Sequence, residues 1–112
     1  MKHNSRYSPW LKIANDLQAL HEFVYGETGP FIHLRNNPIR PTGAEGAEWI
    51  RNKCVTGHWY WWDKGWLEGK AEEPLRSIQH VIADCNGLYE ETEAGRELIA
   101  RIKRIQEHIK SM

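Results

Sequence analysis

Apolar residues recur at steps of three and four in three separate stretches of this chain, and that spacing commits most of it to amphipathic helix. Trp10, Ile13, Leu17, Leu20 and Val24 form one stripe. Leu75, Ile78, Ile82 and Cys85 form a second, with Val81 beside it. Leu98, Ile102, Ile105 and Ile109 form a third, widened by Ile99. The punctuation agrees with the stripes. Ser8-Pro9 suits a helix start, since serine caps free N–H groups and proline fits the first turn. Gly26 and Thr28-Gly29-Pro30 suit a stop. Thr42 and Glu45 have capping-box spacing and predict a short helix to about Cys54, with Ala47, Ile50 and Cys54 on its apolar side and Trp49 adjacent. Pro74 is read as opening the third helix, Asn86-Gly87 as closing it, and Thr92 as capping the fourth.

Two segments fall outside this pattern. The short apolar run 31–34 reads as a strand, and Asn36, Asn37, Pro38 and Pro41 make 35–41 a loop. The aromatic run 58–62 favours extended backbone, and Asp63-Lys64-Gly65 reads as a turn, so 58–67 is expected to be a small hairpin. The expectation is therefore a mainly α chain: a four-helix arrangement with a small aromatic β-like hairpin inserted between the second and third helices, an α+β variant being the alternative. With 112 residues the chain fits one compact domain, 1–112, that folds without a disulfide or metal staple.

Tryptophan usage is the outlier. Of six Trp, four fall between positions 59 and 66. In an extended chain Trp59 and Trp61 share one face, and His58, Tyr60 and Trp62 the other. One face can pack on the helices, and the other is either covered or left as a binding hot spot, where Trp and Tyr are enriched. Arg35, Arg40, Arg51 and Lys53 precede the run. The expected contact surface is thus Trp59, Tyr60, Trp61, Trp62 and Trp66, with Arg35, Arg40 and Arg51 on its rim.

Other chemistries have weaker support. Cys54, His58, His80 and Cys85 are the right types for zinc, but His80 and Cys85 diverge by about 140° on one helix. No metal and no cofactor is expected. There is no phosphate loop, nucleophile elbow or His-Glu-x-x-His pattern, and nothing selects His58 with Asp63, or Cys54 with His58, as a catalytic pair, so the chain is read as non-enzymatic. A formal net charge of zero argues against a duplex-DNA binder. Base-rich ends flank an acidic centre, an arrangement that could steer a partner but that helix-dipole complementation on a solvated surface accounts for more simply. No apolar run is long enough to cross a bilayer and none near the N-terminus is signal-like, so no membrane and a cytoplasmic location are expected.

The leading reading is a non-catalytic protein-binding or inhibitor module acting on a bacterial protein or protein complex. Small accessory proteins of phages and mobile elements share this general character, which is an analogy of type. The alternative is single-stranded nucleic-acid binding through the same aromatic and basic surface. A homodimer through the Leu98–Ile109 stripe is the third.

Overall fold

The computed structural model describes residues 6–26 and 31–112. Among these, the elements are α1 (Ser8–Tyr25), α2 (Ile32–Asn36), α3 (Gly43–Cys54), α4 (Asp63–Asp84), a 3-10 turn (Leu88–Glu91) and α5 (Glu93–Lys110). The chain is mainly α, and no strand occurs among the described residues. Helix α1 lies at the centre, packed most extensively on α3 and also on α5, α4 and α2. Its whole stripe is buried: Trp10, Ile13, Ala14, Leu17, Leu20 and Val24. The α5 stripe, Leu98, Ile102, Ile105 and Ile109, is buried with it. That burial is the main source of stability, because isolated helices of this length are marginal in water.

The helix ends follow the sequence closely, except that Ser8 is the first helical residue of α1 and not its cap: the N-cap position is Tyr7, with no side-chain capping bond. Thr42 and Glu45 form the reciprocal capping box that opens α3. Thr92 accepts the Gly95 N–H at 3.0 Å to open α5. Gly26 closes α1 with its N–H donated to Glu22; the Thr28-Gly29-Pro30 cluster lies outside the described residues. Asn86 and Gly87 both take left-handed φ, 51° and 82°, and stop α4.

Three expectations are corrected. The run at 31–34 is not a strand: Phe31 caps the five-residue helix α2, which extends into the segment read as loop. Phe31 and Leu34 are both buried, and this three-residue spacing suits one side of a helix. The hairpin at 58–67 is absent. Residues 60–63 form a turn in which Asp63 donates its N–H to the Tyr60 carbonyl, and Asp63 starts α4. Pro74 lies inside α4 rather than at its start. The signal for the longer helix is Leu67, Ala71, Leu75 and Ile78, all buried along one side. Proline offers no N–H to the Lys70 carbonyl one turn earlier. Gly46 of α3 comes against that carbonyl, where a Cβ would stand 3.0 Å from the oxygen and 3.6 Å from the Pro74 ring. The helix interruption therefore becomes the place where α3 and α4 approach.

Gly95 is the tightest contact of this kind: a Cβ there would lie 1.9 Å from the Tyr89 carbonyl oxygen. Gly95→Ala should therefore lower unfolding free energy by at least about 2 kcal/mol, the scale of core overpacking. Urea denaturation checks this, and an unchanged midpoint would contradict the packing described.

Candidate functional site

The loop between α3 and α4 is built around one buried carboxylate. Asp63 has no solvent-exposed surface. Its Oδ2 accepts the Tyr7 hydroxyl at 2.5 Å and the Tyr60 N–H at 2.8 Å, while Oδ1 faces the Lys53 ammonium at 3.1 Å. The Tyr7 hydroxyl also lies against the His58 carbonyl. A phenol has a single proton, and the charged carboxylate is its stronger acceptor. Burial alone would raise the Asp63 pKa, but Tyr7, the Tyr60 N–H and Lys53 more than offset it and hold the carboxyl below its usual range. Burial and the bond to Asp63 push Tyr7 up to about 12, so it remains a donor.

This anchor decides where each ring goes. Trp59 turns inward, edge-on to Tyr7 with centroids 5.1 Å apart, and Arg6 lies over it. The rest of the run faces water. Tyr60 and Trp62 stack in parallel at 4.7 Å, and Trp61 meets Trp62 edge-on at 5.5 Å. Trp61 is 87% exposed and Trp62 48%. One turn further along α4, Trp66 stacks on Trp49 of α3 at 6.4 Å. The Lys70 ammonium sits 3.9 Å from the Trp49 ring centre and 5.6 Å from that of Trp66, and Lys53 lies 5.4 Å from that of Tyr60. Cations over ring faces are attracted by the ring quadrupole. Two rows at helical spacing, Trp49 and Lys53 on α3 and Trp62, Trp66 and Lys70 at the start of and along α4, thus form one array of largely exposed rings with ammonium groups against them.

The predicted set divides. Tyr60, Trp61, Trp62 and Trp66 come together at the surface. Trp59 belongs to the half-buried anchor, so Trp59 and Trp61 do not share a face, because the turn at 60–63 replaces the extended run. Of the three arginines expected on the rim, none is brought to the array. Arg51 donates to Asn15 at 3.1 Å on the α1 side of α3. Arg40 pairs with Glu45. Arg35 acts on the buried Tyr89, which follows the far end of α4. The cations of the array are Lys53 and Lys70 instead. In the sequence, Trp49 and Lys53 are four apart, as are Trp66 and Lys70, a spacing that joins the two pairs only once α3 and the first half of α4 are both recognised as helices and packed together.

The four candidate metal ligands are also separated. Cys54 and His58 lie near the start of α4, whereas His80 and Cys85 lie near its end, and α4 spans roughly 33 Å at 1.5 Å per residue. No group of three or more His, Cys, Asp or Glu among the described residues is placed to hold a metal. Burial pushes the Cys54 thiol up to about 11, which keeps it protonated at neutral pH and a poor nucleophile. His58 meets Tyr7 through its backbone carbonyl, and the Asp63 carboxylate is occupied by Tyr7, Tyr60 and Lys53. No helix among the described residues is long and apolar enough to cross a membrane.

No family model, no curated protein and no solved structure matches this chain. The geometry of the array is therefore what any functional reading has to rest on.

Two outcomes follow from the anchor. Tyr7→Phe removes a hydrogen bond to a buried carboxylate and should cost about 1–3 kcal/mol of stability by urea denaturation. The folded pKa of Asp63 lies below its unfolded value, so its contribution is complete above about pH 4–5 and is lost as pH falls through the folded pKa. Between about pH 6 and pH 3 the wild type should therefore lose more stability than Tyr7→Phe, in which the depression of that pKa is smaller. Equal acid sensitivity would count against the Tyr7–Asp63 linkage.

Proposed function

We propose that this chain is a non-catalytic protein-binding module whose contact surface is the array of Trp49, Tyr60, Trp61, Trp62 and Trp66. The observation that carries the reading is Trp61, 87% exposed and braced edge-on by Trp62, whose other ring contact is Tyr60. A projecting indole held by its neighbours is pre-ordered for insertion into a recess, and such residues dominate interface energetics. The partner supplies that recess. The setting we favour is a bacterial protein complex acted on by a small accessory or inhibitor protein.

The array is less suited to single-stranded nucleic acid. A stacking platform needs open ring faces along a cationic track. Here Trp49 and Trp66 stack on each other with Lys70 over them, Tyr60 and Trp62 stack on each other, and Lys53 is neutralised by Asp63.

Trp61→Ala should leave the helical circular dichroism and melting temperature unchanged, because the ring touches only surface neighbours. It should weaken partner binding by about 30-fold, the effect of a 2 kcal/mol hot spot. Capture from nuclease-treated bacterial lysate, with the variant beside the wild type, is the test. Equal capture by both would overturn the reading, and tryptophan quenching by oligonucleotide at low salt would transfer the surface to the nucleic-acid alternative.

A further inference from the structure

Bases that lie far apart in the chain meet in the fold, along a cleft between α1 and α5. The two helices run antiparallel. Phe23, near the end of α1, shares a hollow with Glu93 and Ala94 at the start of α5, and the Arg101 guanidinium lies over its ring at 4.4 Å. Lys12, near the start of α1, therefore lies toward His108, near the end of α5. The cleft between them has a volume of about 330 Å³, which falls within the size range of small-molecule sites.

The chemistry of this cleft changes in order along its length. Lys12 and His108 stand at one end. One turn further in come Asp16 on α1 and Arg104 on α5. At the other end Ala19, small and exposed, lies beside the buried Leu20, with Arg101 across from it. Among the described residues, Lys12, Asp16 and His108 enter no ion pair. Charges of both signs thus line one hollow without meeting. The guanidinium groups are held in place: Glu97 Oε1 accepts Arg101 Nε at 3.1 Å and Arg104 Nη2 at 3.2 Å. Each guanidinium spends one N–H on Glu97 out of about five that it carries, so donors remain on both.

We infer that this cleft binds a nucleoside monophosphate. The order cation, carboxylate, apolar floor is the order in which such a ligand presents phosphate, ribose and base. Lys12, Arg104 and His108 take the phosphate, for which a guanidinium is suited by its planar fork of donors. Asp16 accepts the ribose hydroxyls, a task that a carboxylate performs in dinucleotide sites. The base lies over Ala19 and stacks on the face of the Arg101 guanidinium turned away from Phe23. From Lys12 to Ala19 the helix rises about 10 Å, a span that the three parts of a mononucleotide also cover. The cleft shares no residue with the aromatic array, so this ligand adds to the protein-binding reading and does not depend on it.

An amide NMR titration of the full chain with adenosine monophosphate, adenosine and inorganic phosphate tests this. Adenosine monophosphate should shift residues 12–20 and 101–108 saturably, with Kd about 10–100 µM, the scale for a ligand of this size in an open cleft. Adenosine and phosphate alone should each bind at least tenfold more weakly. Arg104→Ala and Ala19→Leu should each weaken the monophosphate at least tenfold with helical circular dichroism unchanged, since both side chains are exposed. Lys103→Ala removes a charge from the opposite flank of α5 and should leave binding unchanged. Absence of a saturable shift would overturn the inference. Phosphate binding as tightly as the nucleotide would reduce the cleft to an adventitious anion site. Equal losses in Lys103→Ala and Arg104→Ala would show general attraction to a basic helix and overturn it as well. Trp61→Ala should leave this titration unchanged, so failure here is distinguishable from failure of the protein-binding reading.

Discussion

A carboxylate with no access to water costs several kcal/mol unless its charge is matched and partners surround it. Asp63 meets that requirement with groups from three places in the chain: the Tyr7 hydroxyl ahead of α1, the Lys53 ammonium on α3, and the Tyr60 N–H in the connecting turn. None of these segments can shift alone without leaving the charge uncompensated. The start of α4, the end of α3 and the approach to α1 are thereby brought to one point. The rings on the surface inherit their positions from this buried group, because Tyr60 is bonded to it directly and Trp61 and Trp62 lie between the two.

The remainder of the fold is ordinary amphipathic packing with local departures, of which two stand out. Pro74 interrupts the hydrogen-bond ladder of α4, and Gly46 brings α3 against the carbonyl that results. Gly95 does the same beneath the Tyr89 carbonyl. Both put a missing side chain opposite a backbone oxygen: at Gly46 this lets α3 come close to α4, and at Gly95 it lets the 3-10 turn fold tightly onto the start of α5. Gly65 and Gly69 lack such a neighbour. They are the helix-interior glycines that the packing of this chain leaves unexplained, and they lie on the side of α4 that the rings share.

Much of this was legible in the sequence, for identifiable reasons. The stripes from Trp10 to Val24 and from Leu98 to Ile109 are buried residue by residue, because a period near 3.6 has one structural meaning over that length. The caps at Thr42 and Thr92 and the stop at Asn86-Gly87 were legible because each is a local hydrogen-bonding or φ requirement. The hairpin was not, because the aromatic preference for extended backbone is a packing preference, and here the long-range bonds of Asp63 prevail over it. Pro74 misled because its frequency at helix starts says nothing of a helix already under way. The site was legible in part. The cluster at Tyr60–Trp62 and Trp66 was visible, whereas Trp49 and Lys70 join it through contacts between helices that no local pattern encodes.

The distribution of the six indoles has a consequence for how this molecule is observed. Trp10 alone is sealed in the core at 2% exposure, Trp59 is half-buried, and Trp49, Trp61, Trp62 and Trp66 meet water in the native state. Indole emission moves to shorter wavelength as its surroundings become less polar. In most proteins that colour reports whether the chain is folded. Here the emission of the native protein is dominated by indoles that are already wet, so unfolding changes it little, while covering the surface changes it strongly. The intrinsic light of this protein is a gauge of occupancy, and it needs no label to be read.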